Sequence, residues 1–106
     1  MDWVTELREG FERLLRGGAQ LVRFAAETGP QGELGREFNA LAAELNGVDP
    51  GALTRERLHA LRNRLAGILA AVHVLGQELG AEQQAELKRV IEEARRVDAA
   101  LRARRS

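Results

Sequence analysis

Apolar residues recur every three or four positions along nearly all of this 106-residue chain, and that spacing commits it to helix. The clearest stretch is Leu58, Leu61, Leu65, Ile68, Leu69, Val72, Leu75 and Leu79. At about 100° per residue these side chains fall within one arc of a helix. Strand formers are too sparse to compete: aromatic residues make up 4% of the chain and β-branched residues are scattered. The expected class is all-α, built from helices that bury one stripe each.

Four helices follow from the breaks in this pattern. The first is expected over residues 2–27, with Trp3, Leu7, Phe11, Leu14, Leu15, Leu21, Val22 and Ala25 near one stripe and a bend or break at Gly17-Gly18. Thr28-Gly29-Pro30 is a stop signal. The second is expected over residues 31–45, with Leu34, Phe38, Leu41 and Leu45 on one face, ending in the run 46–51. The third starts near Ala52 or Thr54, with Asp49 before Pro50 and Thr54 before Arg57 as candidate caps, and runs to Leu79. Gly80 closes it. The fourth begins near Ala81 and buries Leu87, Val90, Ile91, Ala94, Val97 and Leu101. Arg102, Arg104 and Arg105 at its end suit the negative end of a helix dipole. Residues 1–48 and 52–106 are expected to form two helical hairpins.

Composition narrows the function classes. Without cysteine, disulfides, zinc-thiolate sites and thiol nucleophiles are excluded. Sixteen acidic and 16 basic residues balance to a formal charge of zero, which argues against coating nucleic acid. The apolar run 66–72 falls far short of the roughly 20 residues that span a membrane. The charged N-terminus, with Asp2, Glu6, Arg8 and Glu9, does not read as a secretory signal. A cytoplasmic protein is expected.

The third helix carries the most specific residues: Leu58-His59-Ala60-Leu61-Arg62-Asn63-Arg64-Leu65-Ala66-Gly67-Ile68-Leu69. This stretch resembles the phosphoacceptor box of bacterial sensor histidine kinases, H-[ED]-x-x-[TN]-P-L, in the dimerisation and phosphotransfer domain. His59 stands at the phosphorylated position and Asn63 at the Thr/Asn position. Two residues depart from the pattern: Ala60 replaces the acid and Arg64 replaces the proline. The resemblance implies a four-helix bundle formed when two copies of the 52–106 hairpin dimerise. It also implies phosphoryl transfer at His59, with Asn63 shaping the site and a response-regulator receiver domain or a histidine kinase as partner. Residues 32–45, Gly32-Glu33-Leu34-Gly35 through Phe38-Asn39, resemble the second helix of a HAMP linker, although the long connector of that module is missing.

Geometry alone makes His59 accessible. It lies about 150° from the centre of the apolar arc, with Asn63 about 40° further round. An acceptor needs such exposure, because phosphorus must approach the imidazole nitrogen in line. An exposed polar residue is equally what any soluble helix carries. Arg55, Arg62 and Arg64 are placed to meet an acidic partner surface, and an ordinary solvated face explains the same run. Ala60 can serve neither as general base nor as hydrogen-bond partner, which weighs against autokinase chemistry more than against uptake from an aspartyl phosphate. No nucleotide motif occurs, so no cofactor is expected and the donor would act in trans. His73 is about 20 Å along the helix from His59, too far to share a metal, and no metal site is expected. Two other readings stay open: a non-catalytic helical adaptor that binds a kinase or receiver, and a plain coiled-coil structural protein.

Overall fold

The computed structural model describes residues 2–18, 21–47 and 54–103. These residues form four α-helices and one short 3-10 turn: α1 Trp3–Leu15, the turn Arg23–Ala26, α2 Gly29–Gly47, α3 Arg55–Gly76 and α4 Ala81–Ala103. No strand occurs among the described residues.

Local chemistry sets the ends of the helices. The Asp2 carboxylate accepts the Thr5 N–H at 2.8 Å and caps α1. The helix stops at Leu15, far short of residue 27. Gly17 takes φ +84°, and the N–H groups of Gly17 and Gly18 close onto the carbonyls of Leu14 and Arg13. This is a Schellman ending, and glycine supplies its left-handed residue. Thr54 caps α3, its Oγ1 accepting the Arg57 N–H at 3.1 Å. The alternative cap at Asp49-Pro50 lies outside the described residues, as do Arg104 and Arg105. The third helix ends at Gly76, not Leu79; there Gln84 Nε2 donates to Gly76 O at 2.6 Å and, in the turn that follows, to Leu79 O at 3.3 Å.

Neighbouring contacts fix the directions of the helices. Arg62 meets Asp98 and Gln84 meets Gly76, so α3 and α4 run antiparallel as expected. Arg64 meets Glu37 and Glu44, while Pro30 and Glu33 lie beside Ala70 and Val74, so α2 and α3 are also antiparallel. The N-terminal half departs from the expected hairpin. Leaving α1, the chain turns back: Arg23 N–H bonds the Glu6 carboxylate, and the Phe24 ring meets Trp3 edge-on at 6.3 Å. The same stretch runs antiparallel to α2, with Val22 at Asn39, Ala25 at Gly35 and Glu27 at Gly32. Consequently α1 and α2 point the same way, and residues 21–28 form a return segment between them.

Side chains of α2 satisfy the backbone of that segment. Asn39 accepts the Val22 N–H at 2.8 Å and donates to the Val22 carbonyl at 3.2 Å. Arg36 Nη1 donates to the carbonyls of Ala25 at 2.9 Å and Glu27 at 3.1 Å. A segment of extended and 3-10 backbone laid along a helix has no ladder partner, so these bonds keep it from stranding polar groups. Gly32 and Gly35 make the approach possible: a Cβ on Gly35 would lie 2.7 Å from Ala25 Cα. The residues that resemble a HAMP helix thus form a seat for the return segment.

One core joins both halves. Val4, Leu7 and Phe11 of α1, Leu34, Phe38 and Leu41 of α2, Leu61, Leu65, Ile68 and Val72 of α3, and Val90, Ala94 and Leu101 of α4 are buried together. Phe11 and Phe38 stack edge-to-face with centroids 4.9 Å apart, a geometry that contributes about 0.5–1.5 kcal/mol beyond its area. Helix α1 packs on α4 and α2 on α3, so the stripe of the 54–103 hairpin is covered from within the chain. Among the described residues no polar or charged residue is buried.

Candidate functional site

Helix α3 presents His59 in its second turn. Burial of Leu58, Leu61, Leu65, Ile68 and Val72 fixes which way the helix faces, and His59 emerges exposed. Its side chain makes no hydrogen bond or ion pair with any described residue. Two depressions among the described residues border it. One, of about 350 Å³, is lined by Arg55, Glu56, Leu58, His59, Arg62 and Leu101. The other, of about 330 Å³, has Leu65, Ala66 and Leu69 as its floor and His59, Arg62, Asn63, Arg95, Asp98 and Arg102 around it.

The arginines differ in what holds them. Arg62 Nε donates to Asp98 Oδ1 at 3.0 Å, and Asp98 Oδ2 lies 3.1 Å from Arg102 Nε. One carboxylate therefore serves two guanidinium groups, one on each helix. Arg55 and Arg95 have no side-chain partner among the described residues. Arg64 belongs elsewhere. It lies on the α2 side of α3, with Nη1 2.8 Å from Glu37 and Nη2 3.7 Å from Glu44. The structure thus gathers His59, Asn63, Arg55 and Arg62 and separates Arg64 from them.

Ala60 is exposed and leaves no acid beside His59 on its C-terminal side; Glu56, three residues earlier, lines the same depression. His73 is exposed in the last turns of α3, on its own. Among the described residues no group of three or more His, Asp or Glu side chains is placed to hold a metal ion, and no helix is long and apolar enough to cross a membrane.

Sequence reasoning missed the contribution of α4. Arg95, Asp98 and Arg102 read as ordinary surface charges of an amphipathic helix. The signal was available in the hairpin itself. Equal steps outward from the turn at 77–80 bring Arg62 opposite Arg95 and His59 opposite Asp98, with Arg102 one turn beyond Asp98.

No protein-family model, curated protein or solved structure matches this chain.

Proposed function

We propose that this chain is a histidine phosphotransfer protein of a two-component relay, accepting and passing a phosphoryl group at His59. One observation carries the reading: an exposed imidazole with no side-chain partner stands at the rim of a cleft lined by Arg62, Arg95 and Arg102. The donor is an aspartyl phosphate on a receiver domain. The unprotonated imidazole nitrogen attacks phosphorus in line, the N–P bond forms, the P–O bond breaks, and the aspartate carboxylate leaves with the electron pair. Attack by a lone pair needs no general base, so Ala60 is tolerated. What the step needs is positioning and positive charge around the transferring oxygens, and arginines beside His59 supply that. Asn63, one turn from His59 on the same rim, is placed to orient the phosphoryl group or a water. Arg55 and Arg62 face the side from which an acidic receiver pocket would arrive.

The homodimer implied by the kinase resemblance would use the stripe that α1 and α2 cover here. The working unit proposed is therefore the single-chain bundle. A second reading, a non-catalytic adaptor for a kinase or receiver, is favoured by one observation: Asp98 already engages two of the arginines.

Incubation with a phosphorylated receiver domain tests the proposal. Label should transfer, be lost in acid and survive base, as a phosphoramidate does. His59→Gln should abolish it with the helical signal unchanged, and His73→Gln should leave it intact. A wild-type protein that binds the receiver but takes no label refutes phosphotransfer and leaves the adaptor.

A further inference from the structure

We infer that the cleft between α3 and α4 binds a tetrahedral oxyanion, a phosphate dianion, through Arg62, Arg95 and Arg102, and that Asp98 is the internal carboxylate it displaces. Use of the site by a phosphoryl group on His59 rests on the function proposed above; binding of the free anion does not.

Charge comes first. The cleft brings together three guanidinium groups and one carboxylate. Arginine stays protonated at any working pH, so the surplus of positive charge cannot be relieved by losing protons. Asp98 spends one oxygen on Arg62 and the other on Arg102, and each contact uses only the Nε of the arginine. The terminal nitrogens of both forks have no acceptor among the described residues. Arg95 has no side-chain partner there at all. A phosphate offers more acceptor oxygens than a carboxylate and twice the charge, and it suits several forks at once.

Surroundings favour the exchange. Leu65 and Leu69 form the floor, and Arg62 and Asp98 are only about a quarter exposed, at 28% and 25% of their side-chain surface. Charges over an apolar floor interact more strongly than in open water. Removing Asp98 from the pair would leave guanidiniums seeking an anion, so the carboxylate reads as an occupant that keeps the cleft formed while it is empty. His59 and Asn63 on the rim put an N–P-linked phosphoryl group within the same cleft.

The test follows the guanidinium Nε–H resonances of Arg62 and Arg102 while inorganic phosphate is added at constant ionic strength, with chloride as reference. Both should shift saturably with phosphate and not with chloride. Asp98→Asn should tighten binding on the order of tenfold, since it removes one competing negative charge at a partly exposed site. Arg95→Gln, which breaks no contact in the fold, should weaken it severalfold. His73→Gln, at an exposed position remote from the cleft, should leave phosphate affinity unchanged. Non-saturating shifts equal to those in chloride, or weaker binding by Asp98→Asn with its helical signal intact, overturn the inference.

A second arm separates the two sources of the anion. Phosphoramidate is used to phosphorylate His59: the imidazole N–P bond forms, the donor N–P bond breaks and ammonia leaves. The arginine shifts should then appear without free phosphate, and added phosphate should no longer titrate. Phosphate binding by a protein that takes no label sinks the phosphotransfer reading and keeps this one. Label on His59 with both arginines unmoved does the reverse.

Discussion

Gly35→Ala tests the least expected part of the fold, the return segment seated on α2. In an exposed helix interior this change should stabilise, because alanine is favoured over glycine by about 1 kcal/mol. Here the new methyl carbon would lie 2.7 Å from both Cα and N of Ala25 and 2.9 Å from Phe24 Cδ2. Ordinary carbon contacts sit at about 3.5–4.0 Å, so roughly an ångström of movement is required. Two of the three crowded atoms are backbone, fixed by Asn39 and Arg36 on either side. A side chain cannot swing aside to relieve them. Overpacking of this kind costs about 1–3 kcal/mol, and the upper end applies. Net of the helix gain, the variant should lose about 1–2 kcal/mol, a fall in Tm of roughly 5–10 °C for a domain near this size. Gly67→Ala is the control: an added Cβ there meets nothing within 4 Å, so that variant should gain about 0.5–1 kcal/mol. Urea unfolding followed by far-ultraviolet circular dichroism gives both numbers. Trp3, the one tryptophan, packs edge-on against Phe24, so its emission should shift red in native Gly35→Ala and stay put in Gly67→Ala. Equal stabilisation by both substitutions, with Trp3 unchanged, would refute the seat.

Light scattering at high micromolar concentration should return the single-chain mass of 11.7 kDa, because the stripe of α3 and α4 is already covered; twice that mass would return the dimer to consideration. Asp2 should make stability sensitive to acid: the Thr5 N–H it accepts holds its carboxyl below the ordinary value, against a smaller opposing effect of burial. A depressed folded pKa stabilises above the unfolded value, and that contribution is lost as pH falls through the folded one. Urea midpoints taken downward from pH 6 should drop less steeply below pH 4 in Asp2→Ala, which should itself cost about 0.5–2 kcal/mol at neutral pH as a lost cap. Parallel curves for the two proteins would rule the cap out.

The helices themselves were legible because their information is local. Leu58, Leu61, Leu65 and Ile68 on α3, and Leu87, Val90, Ala94 and Val97 on α4, are buried as their spacing requires. Residues 21–27 were misread for the same reason. Leu21, Val22 and Ala25 fit a helical stripe, yet Leu21 is 61% exposed while Val22 is buried from an extended backbone. The decisive partners, Asn39, Arg36 and Gly35, lie nine to 17 residues on, and a helical period cannot report them. The exposure of His59 and Asn63 was legible because it follows from phase along a single helix. The α4 half of the cleft needed the register between two helices. Arg64 was grouped with its sequence neighbours, although two residues turn a helix by about 200° and carry it to the opposite flank.

The shared direction of α1, α2 and α4 has an electrostatic consequence. Three helix N-termini gather at one end of the bundle and three C-termini at the other, with only α3 opposed, so the peptide dipoles do not cancel as they would in alternating helices. Side chains oppose that alignment. Asp2, Glu33, Glu78 and Glu82 lie at the end of the N-termini, whereas Arg13, Arg16, Arg55, Arg57 and Arg102 lie toward the other. A chain with zero formal charge thus sets its side-chain charges against its peptide dipoles at both ends, and His59 sits at the end where arginines meet three helix C-termini.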